Sequence, residues 1–288
     1  MDSVGEDAYV KWMARDPAET ERLNSQHEFL KKTIGHLLHP TIQSSMPAEP
    51  RIADIATGTC ITLRDLASTF PPTCRFDGFD ISSAQYPPAA DLPSNIKLHV
   101  ADAKAGLPTE FHSQYDVVNI RYLIAAMHED DWPVVSQNML KLLKPGGWLQ
   151  WIEPDLGSAF TALRGDINIP TSSAVEEAAD AIGPAVRQQK YSFFTTELAN
   201  IMQAEGYESV THEVVSTDRL PELRAAGWNT MRRPYQQFWE GVEAAKGEKG
   251  KSKEYVAKRI GEIAEVAKAG AVYFRSNIHV FLARKSME

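Results

Sequence analysis

Cysteine is scarce: Cys60 and Cys74 are the whole complement in 288 residues. Two thiols cannot build a disulfide framework or the paired ligands of a structural zinc site, and this economy suits a reducing, cytosolic compartment. Basic charge is also short. The 30 Lys+Arg against 38 Asp+Glu leave a net charge of −8, which repels polyanions and anionic membranes at long range, so no nucleic-acid partner is expected. No apolar run reaches the roughly 18 residues that span a bilayer, so no membrane partner is expected either. The acidic opening Met1-Asp2-Ser3-Val4-Gly5-Glu6-Asp7 is unlike a secretory or mitochondrial leader. Internal repeats are absent. What is present is an ordinary globular composition, 43% hydrophobic and 24% charged, with length for one large domain or two modest ones.

Asp16 at an N-cap, Pro17 at the first helical position and Glu19 in capping-box register predict a helix over 16–38. Leu23, His27, Leu30 and Ile34 recur at helical spacing, which places His27 on the apolar face. Residues 1–46 form an N-terminal helical cap in this reading, closing near His39-Pro40 with a connector over 41–50. Predicted strands at 51–56, 75–80, 96–102, 115–120 and 148–152 then alternate with helices at 62–70 and 132–143. That alternation predicts an α/β fold, a doubly wound Rossmann-like sheet over 47–288. Runs such as Val117-Val118 suit central strands covered on both faces. The C-terminal half adds a helix at 195–205 and strands at 207–215 and 272–284. Helical insertions interrupt it at about 155–191 and 218–269, with helical patterns at 175–182 and 255–268. Trp228, Tyr235, Phe238 and Trp239 read as packing within the second insertion, or as a lid over a flat apolar substrate.

In an open α/β sheet the ligand site forms beyond the carboxyl ends of the strands. Here those ends carry Asp54-Ile55-Ala56-Thr57-Gly58-Thr59-Cys60, then Asp80-Ile81-Ser82, Asp102-Ala103, Arg121-Tyr122 and Glu153-Pro154-Asp155. A glycine turn after the first strand and an acid after the second serve a nucleoside cofactor, either NAD or S-adenosylmethionine. A dinucleotide site needs the G-x-G-x-x-G cradle for its pyrophosphate, and only Gly58 stands in that window. The Asp54 carboxylate would repel a pyrophosphate yet attract the amino group of a methionine moiety. Charge therefore favours the sulfonium cofactor.

These residues, with the Leu142-Leu143-Lys144-Pro145-Gly146-Gly147 turn, resemble the class I S-adenosylmethionine-dependent methyltransferases. The likeness is closer to fungal natural-product methyltransferases and their regulatory relatives. It rests on Glu21-Arg22-Leu23-Asn24-Ser25-Gln26-His27, Ile52 to Thr59, Asp77-Gly78-Phe79-Asp80-Ile81-Ser82, Tyr115-Asp116-Val117-Val118 with Ile120-Arg121, and Pro145-Gly146-Gly147-Trp148-Leu149-Gln150-Trp151. It covers about residues 9 to 155.

The resemblance implies that Asp54, Thr57, Gly58 and Thr59 line the methionine part of the cofactor, Asp80 holds the ribose and Ile81 packs on the adenine. It implies that Asp102 bonds the adenine amino group beside Ala103, that Arg121 and Tyr122 flank the reacting methyl, and that Gln26 and His27 face the pocket. The expected reaction is methyl transfer to an oxygen or nitrogen of a small, largely apolar metabolite. His27 or His128 would take the acceptor proton, and Glu153, at the pocket rim, would orient the acceptor. Alternatives are a rearrangement without methyl transfer and a cofactor-binding regulator. Cys60 stands where the family usually has glycine; it costs only modest volume if its backbone angles are ordinary, and would crowd the cofactor or strain the turn if its φ were positive. His36 and His39 have metal-like spacing but Pro40 follows and no third ligand is apparent, so no metal is expected.

Overall fold

Helix α1 (Pro17–Ile34) starts on its sequence signal: Asp16 is extended and its carboxylate accepts the Glu19 N–H at 2.9 Å. Glu19 itself turns to Arg22 at 2.7 Å. The helix stops at Gly35, whose φ of 87° makes a left-handed cap, short of the stop expected at His39-Pro40. Pro40 instead opens a short helix, α2 (Pro40–Ser45), where a connector was expected. A proline lacks the N–H that a first helical turn leaves unused, so it begins helices as readily as it ends them. This is a computed structural model that describes residues 15–188 and 191–288. The acidic opening and the first part of the expected cap lie outside the described residues.

The chain continues through β1 (Arg51–Ile55), α3 (Ile61–Thr69), β2 (Arg75–Asp80), β3 (Ile96–Val100), β4 (Tyr115–Arg121), α4 (Asp131–Leu142) and β5 (Leu143–Pro154). There follow α5 (Leu156–Ala159), β6 (Ala162–Arg164), α6 (Ser173–Gln188), α7 (Phe194–Ala204) and β7 (Tyr207–Ser216). Helices α8 (Arg224–Ala245) and α9 (Lys253–Lys268) lead to β8 (Val272–Phe274) and β9 (Asn277–Lys285). Seven strands form one mixed sheet in the order β3-β2-β1-β4-β5-β9-β7. Strand β1 pairs in parallel with β2 and with β4, and the order reverses between them, which makes their carboxyl ends the crevice for a ligand. Successive residues of β1, β4 and β5 are buried, as in strands covered on both faces.

Two strands differ from expectation. Strand β5 begins at Leu143, and its pairing jumps from Tyr115↔Leu143 to Val117↔Trp148, so the Lys144-Pro145-Gly146-Gly147 turn survives as an irregularity inside the strand. The final strand, expected to be continuous, breaks at Arg275-Ser276. There Thr217 and Ser276 exchange hydrogen bonds, Thr217 N–H to Ser276 O at 2.9 Å and Ser276 N–H to Thr217 Oγ1 at 3.0 Å. Strand β8 leaves to pair antiparallel with β6, while β9 joins the main sheet.

The chain divides into two compact units. One comprises the sheet with residues 15–153, 193–214 and 279–288. Helix α1 belongs to it, and the segment after α1 is tied to β5 through Gln150, whose Nε2 donates to Leu37 O and whose Oε1 accepts the His39 N–H, both at 2.8 Å. The second unit comprises 154–192 and 215–278 and has its own core, including Phe160, Ile182, Trp228, Tyr235, Trp239 and Phe274. Trp228 stacks on Phe274 at 4.5 Å between centroids. The aromatic group of the second insertion is therefore core.

Candidate active site

Backbone strain marks the crevice. Ala56 (φ 56°), Cys60 (φ 62°) and Tyr122 (φ 58°) adopt left-handed conformations beyond the carboxyl ends of β1 and β4. Non-glycine residues pay of order 1–2 kcal/mol for such angles, and they gather where a ligand needs the backbone in an unusual course.

Beneath the strained turn runs a buried polar rung. Register places Asp54 of β1 beside Asn119 of β4, and Asn119 beside Gln150 of β5. The Asp54 carboxylate accepts Asn119 Nδ2 at 2.7 Å and Thr57 Oγ1 at 2.8 Å, and Gln150 Nε2 donates to Asn119 Oδ1 at 2.8 Å. Burial raises the Asp54 pKa, with the Arg121 charge and these hydrogen bonds pulling the other way. Asn119 and Gln150 were not singled out as site residues in the sequence. Their one signal was an amide interrupting an apolar strand.

The 57–60 loop is held from both sides. The Asp80 carboxylate at the end of β2 accepts the Gly58 N–H at 2.9 Å and the Ser82 N–H at 3.1 Å, and burial raises its pKa. Thr59 Oγ1 donates to Asn24 Oδ1 of α1 at 2.7 Å, another partner that sequence reasoning missed. Ile81 beside Asp80 is 45% exposed, an apolar side chain left open at the crevice. Cys60 opens α3 in the strained branch of the expectation; its thiol is fully buried and pushed up to about 12, first by burial and then by Asp54.

Arg121, at the end of β4, reaches back to α1 and α3. Its Nη1 bonds His27 Nδ1 at 3.1 Å and its Nη2 bonds Thr62 Oγ1. Arginine only donates, so Nδ1 must accept and the His27 proton resides on Nε2, which donates to Asp65 Oδ2 at 2.9 Å. Burial first, then Arg121, lowers the His27 pKa and keeps the ring neutral. With both ring nitrogens engaged, His27 links two side chains and is not a free base facing an acceptor. His27, Glu28 and Asp65 have metal-like proximity, but Lys31 Nζ stands 2.8 Å from Glu28 and 2.7 Å from Asp65 and supplies the cation there. His39, of the other histidine pair, bonds Glu213 at 3.2 Å.

The remaining expected residues scatter. Asp102 follows β3, its carboxylate accepting the Lys104 N–H at 2.8 Å, while the Ala103 carbonyl accepts Asn138 Nδ2 at 3.0 Å. Gln26 is half-buried on α1. Tyr122 turns its backbone N–H to Ile152 O at 3.1 Å, and burial raises its phenol pKa. His128 is exposed in the loop before α4, its backbone N–H donating to Asp131 at 2.8 Å. Glu153 is not at a rim. It is fully buried and accepts the N–H groups of Leu123 at 2.8 Å and Ile124 at 3.2 Å and Trp151 Nε1 at 2.8 Å, so it clamps the loop after β4.

Known proteins resemble the chain in sequence and in fold. Residues 52–147 match the methyltransferase domain family. N-methyltransferase verN of Clonostachys rogersoniana is 34% identical over 145 residues, and the match spans half of this chain and half of that one. Methyltransferase grgD of a Penicillium species is 29% identical over 96% of each chain. The secondary metabolism regulator LAE1 of Cochliobolus heterostrophus is 26% identical over 69% of this chain and 63% of its own. In fold, the chain is similar to phosphoethanolamine N-methyltransferase 2 of Haemonchus contortus, solved with S-adenosylmethionine, at a TM-score of 0.54 and 16% identity, covering 99% of this chain and 61% of that one. A sheet of this order with acids closing its first two strands defines the class I S-adenosylmethionine-dependent fold. Residues 52–147 carry the core of that methyltransferase domain.

Proposed function

We propose that the chain transfers the methyl group of S-adenosylmethionine to a nitrogen or oxygen of a small, largely apolar metabolite in secondary metabolism. The observation that carries this is the convergence of Asp54, the 57–60 loop, Asp80 and Arg121 on the carboxyl ends of β1, β2 and β4. Relatives named as N-methyltransferases favour nitrogen. The same reading keeps the protein cytosolic, without nucleic-acid or membrane partners; no described helix is long and apolar enough to cross a membrane.

The residues present fit the cofactor. Each Asp80 oxygen takes one backbone N–H, which leaves lone pairs for two ribose hydroxyls. Exposed Ile81 offers an apolar face for adenine, with Asp102 beside Ala103 to bond its amino group. A Cβ on Gly58 would meet only Leu23 Cδ1 at 3.8 Å, so the backbone there is open to close approach. Asp54, Thr57 and Thr59 serve the methionine end, Gln26 faces it from α1, and Arg121 and Tyr122 close the site at β4. When bound, the cofactor supplies an electrophilic methyl on a sulfonium. The protein's task is alignment, which can supply roughly 7–11 kcal/mol, against roughly 3–5 for a general base. His128, exposed and uncommitted at its ring in the described hydrogen bonds, takes the proton released by the acceptor.

The test is calorimetric titration with S-adenosylmethionine and S-adenosylhomocysteine, for the wild type and Asp80→Asn, followed by product mass with a panel of apolar amines and phenols. The amide introduced by Asp80→Asn keeps one acceptor and turns its N–H toward the other donor, at a cost of about 1–3 kcal/mol, so the protein should still fold while affinity drops about tenfold or more. Products heavier by one methylene unit support transfer. Unchanged mass with substrate consumed would indicate rearrangement, and undiminished affinity in Asp80→Asn would remove the ribose assignment.

A further inference from the structure

Arg121 is fixed in place by two uncharged partners, the Nδ1 of neutral His27 and the hydroxyl of Thr62. Its Nε is shut away from solvent and has no acceptor among the described residues. No carboxylate is hydrogen-bonded to it there either: Asp54 acts on it through space, each of its oxygens accepting one hydrogen bond, from Asn119 or Thr57, and keeping a lone pair. A guanidinium is a rigid fork of five donors matched to a carboxylate, and a partly buried one oriented without an anion is half of an ion-binding site. Buried donors left without acceptors are rare enough in folded proteins to call for an explanation.

What surrounds it narrows the anion. Thr62 stands in the first turn of α3, just beyond the 57–60 loop, and Asp54 lies at the end of the neighbouring strand. One negative and one positive group, side by side at the methionine end of the crevice, are complementary to an amino-acid zwitterion. Resting on the cofactor reading above, we propose that Arg121 receives the α-carboxylate of the cofactor's amino-acid end while Asp54 faces its ammonium, and that His27 and Asp65 are positioning residues for Arg121. Asp65 Oδ2 takes the His27 Nε2–H at 2.9 Å and is itself held by Lys31 at 2.7 Å. That fixes the tautomer, so the Nδ1 lone pair points at Arg121. Asp65 was invisible to motif reading because it lies mid-helix among ordinary α3 residues.

The experiment compares S-adenosylhomocysteine with 5′-methylthioadenosine, which keeps the nucleoside and lacks the amino-acid end. Arg121→Met should weaken S-adenosylhomocysteine binding about 10- to 100-fold and leave 5′-methylthioadenosine within about threefold, because a charge-assisted pair is lost only for the first. Arg121→Lys, which keeps the charge without the fork, should fall between. His27→Leu should show a smaller loss with the same selectivity, and His27→Gln, whose amide oxygen can accept from Arg121, should restore most of it. Binding of 5′-methylthioadenosine also reports that each variant is folded. Equal weakening of both ligands, or of neither, in Arg121→Met and Arg121→Lys overturns the assignment. If the wild type binds neither ligand, the cofactor reading itself fails, which is a separate result.

Discussion

Cys60 shows how two opposed magnitudes settle a substitution. Its φ of 62° costs about 1–2 kcal/mol that glycine would not incur. Its thiol is fully buried, and deleting a side chain of that size forfeits about 1 kcal/mol of burial. Cys60→Gly should therefore change stability by less than about 1 kcal/mol in denaturant melts, with cofactor affinity equal or tighter. Cys60→Val should cost about 2 kcal/mol or more, since a β-branched residue tolerates that angle worst. A thiol pushed up to about 12 holds almost no thiolate at pH 8, so iodoacetamide should leave native Cys60 unmodified by mass. The sequence posed the strain question without answering it, because φ is set by the loop's ties to Asp80 and Asn24 and not by the residue type.

At the scale of elements, the ends of β4 and β5 are joined through Glu153. Burial raises this carboxyl from 4.5 to about 8 against the pull of three N–H donors. The folded state thus holds a proton that the unfolded chain releases near 4.5. The stabilisation it brings is full below that value and is lost as pH rises through about 8. The wild type should therefore melt lower at pH 8.5 than at pH 5.5, and Glu153→Gln should flatten that part of the slope. The variant should also lose about 1–3 kcal/mol, as the amide turns an N–H toward one of the donors. Strands β1 to β4 were legible within about a residue or two because their apolar runs are bounded by turns and acids. Helix α8 was not, since Pro234 sits inside it and the aromatic residues that hold it find their partners on distant segments. The break between β8 and β9 was hidden by apolar residues on both sides of Arg275-Ser276. Of the site, Asp54, Gly58 and Asp80 were legible from their places after strands. Asn24, Asp65 and Asn119 acquire meaning only once helices and strands distant in sequence are brought together.

At the scale of the whole molecule, the two units are threaded through one another in sequence while each keeps its own core. Trp239 is wholly buried in the helical unit. Trp239→Ala should cost about 3–5 kcal/mol in that unit and lower the melting temperature, while folded protein at 15 °C should still bind S-adenosylhomocysteine within a few-fold of wild type. Loss of binding in protein that remains folded by circular dichroism would show that the crevice depends on the helical core. The sheet order has a consequence for biosynthesis. Strand β9 comes last in chain order yet lies between β5 and β7, so β7 leaves the ribosome about sixty residues before its neighbour exists. Until then β5 and β7 each present an open edge, the state most prone to wrong pairing. Nascent chains stalled before residue 277 should accordingly be the form that recruits chaperones, and release of β9 the step that seals the sheet.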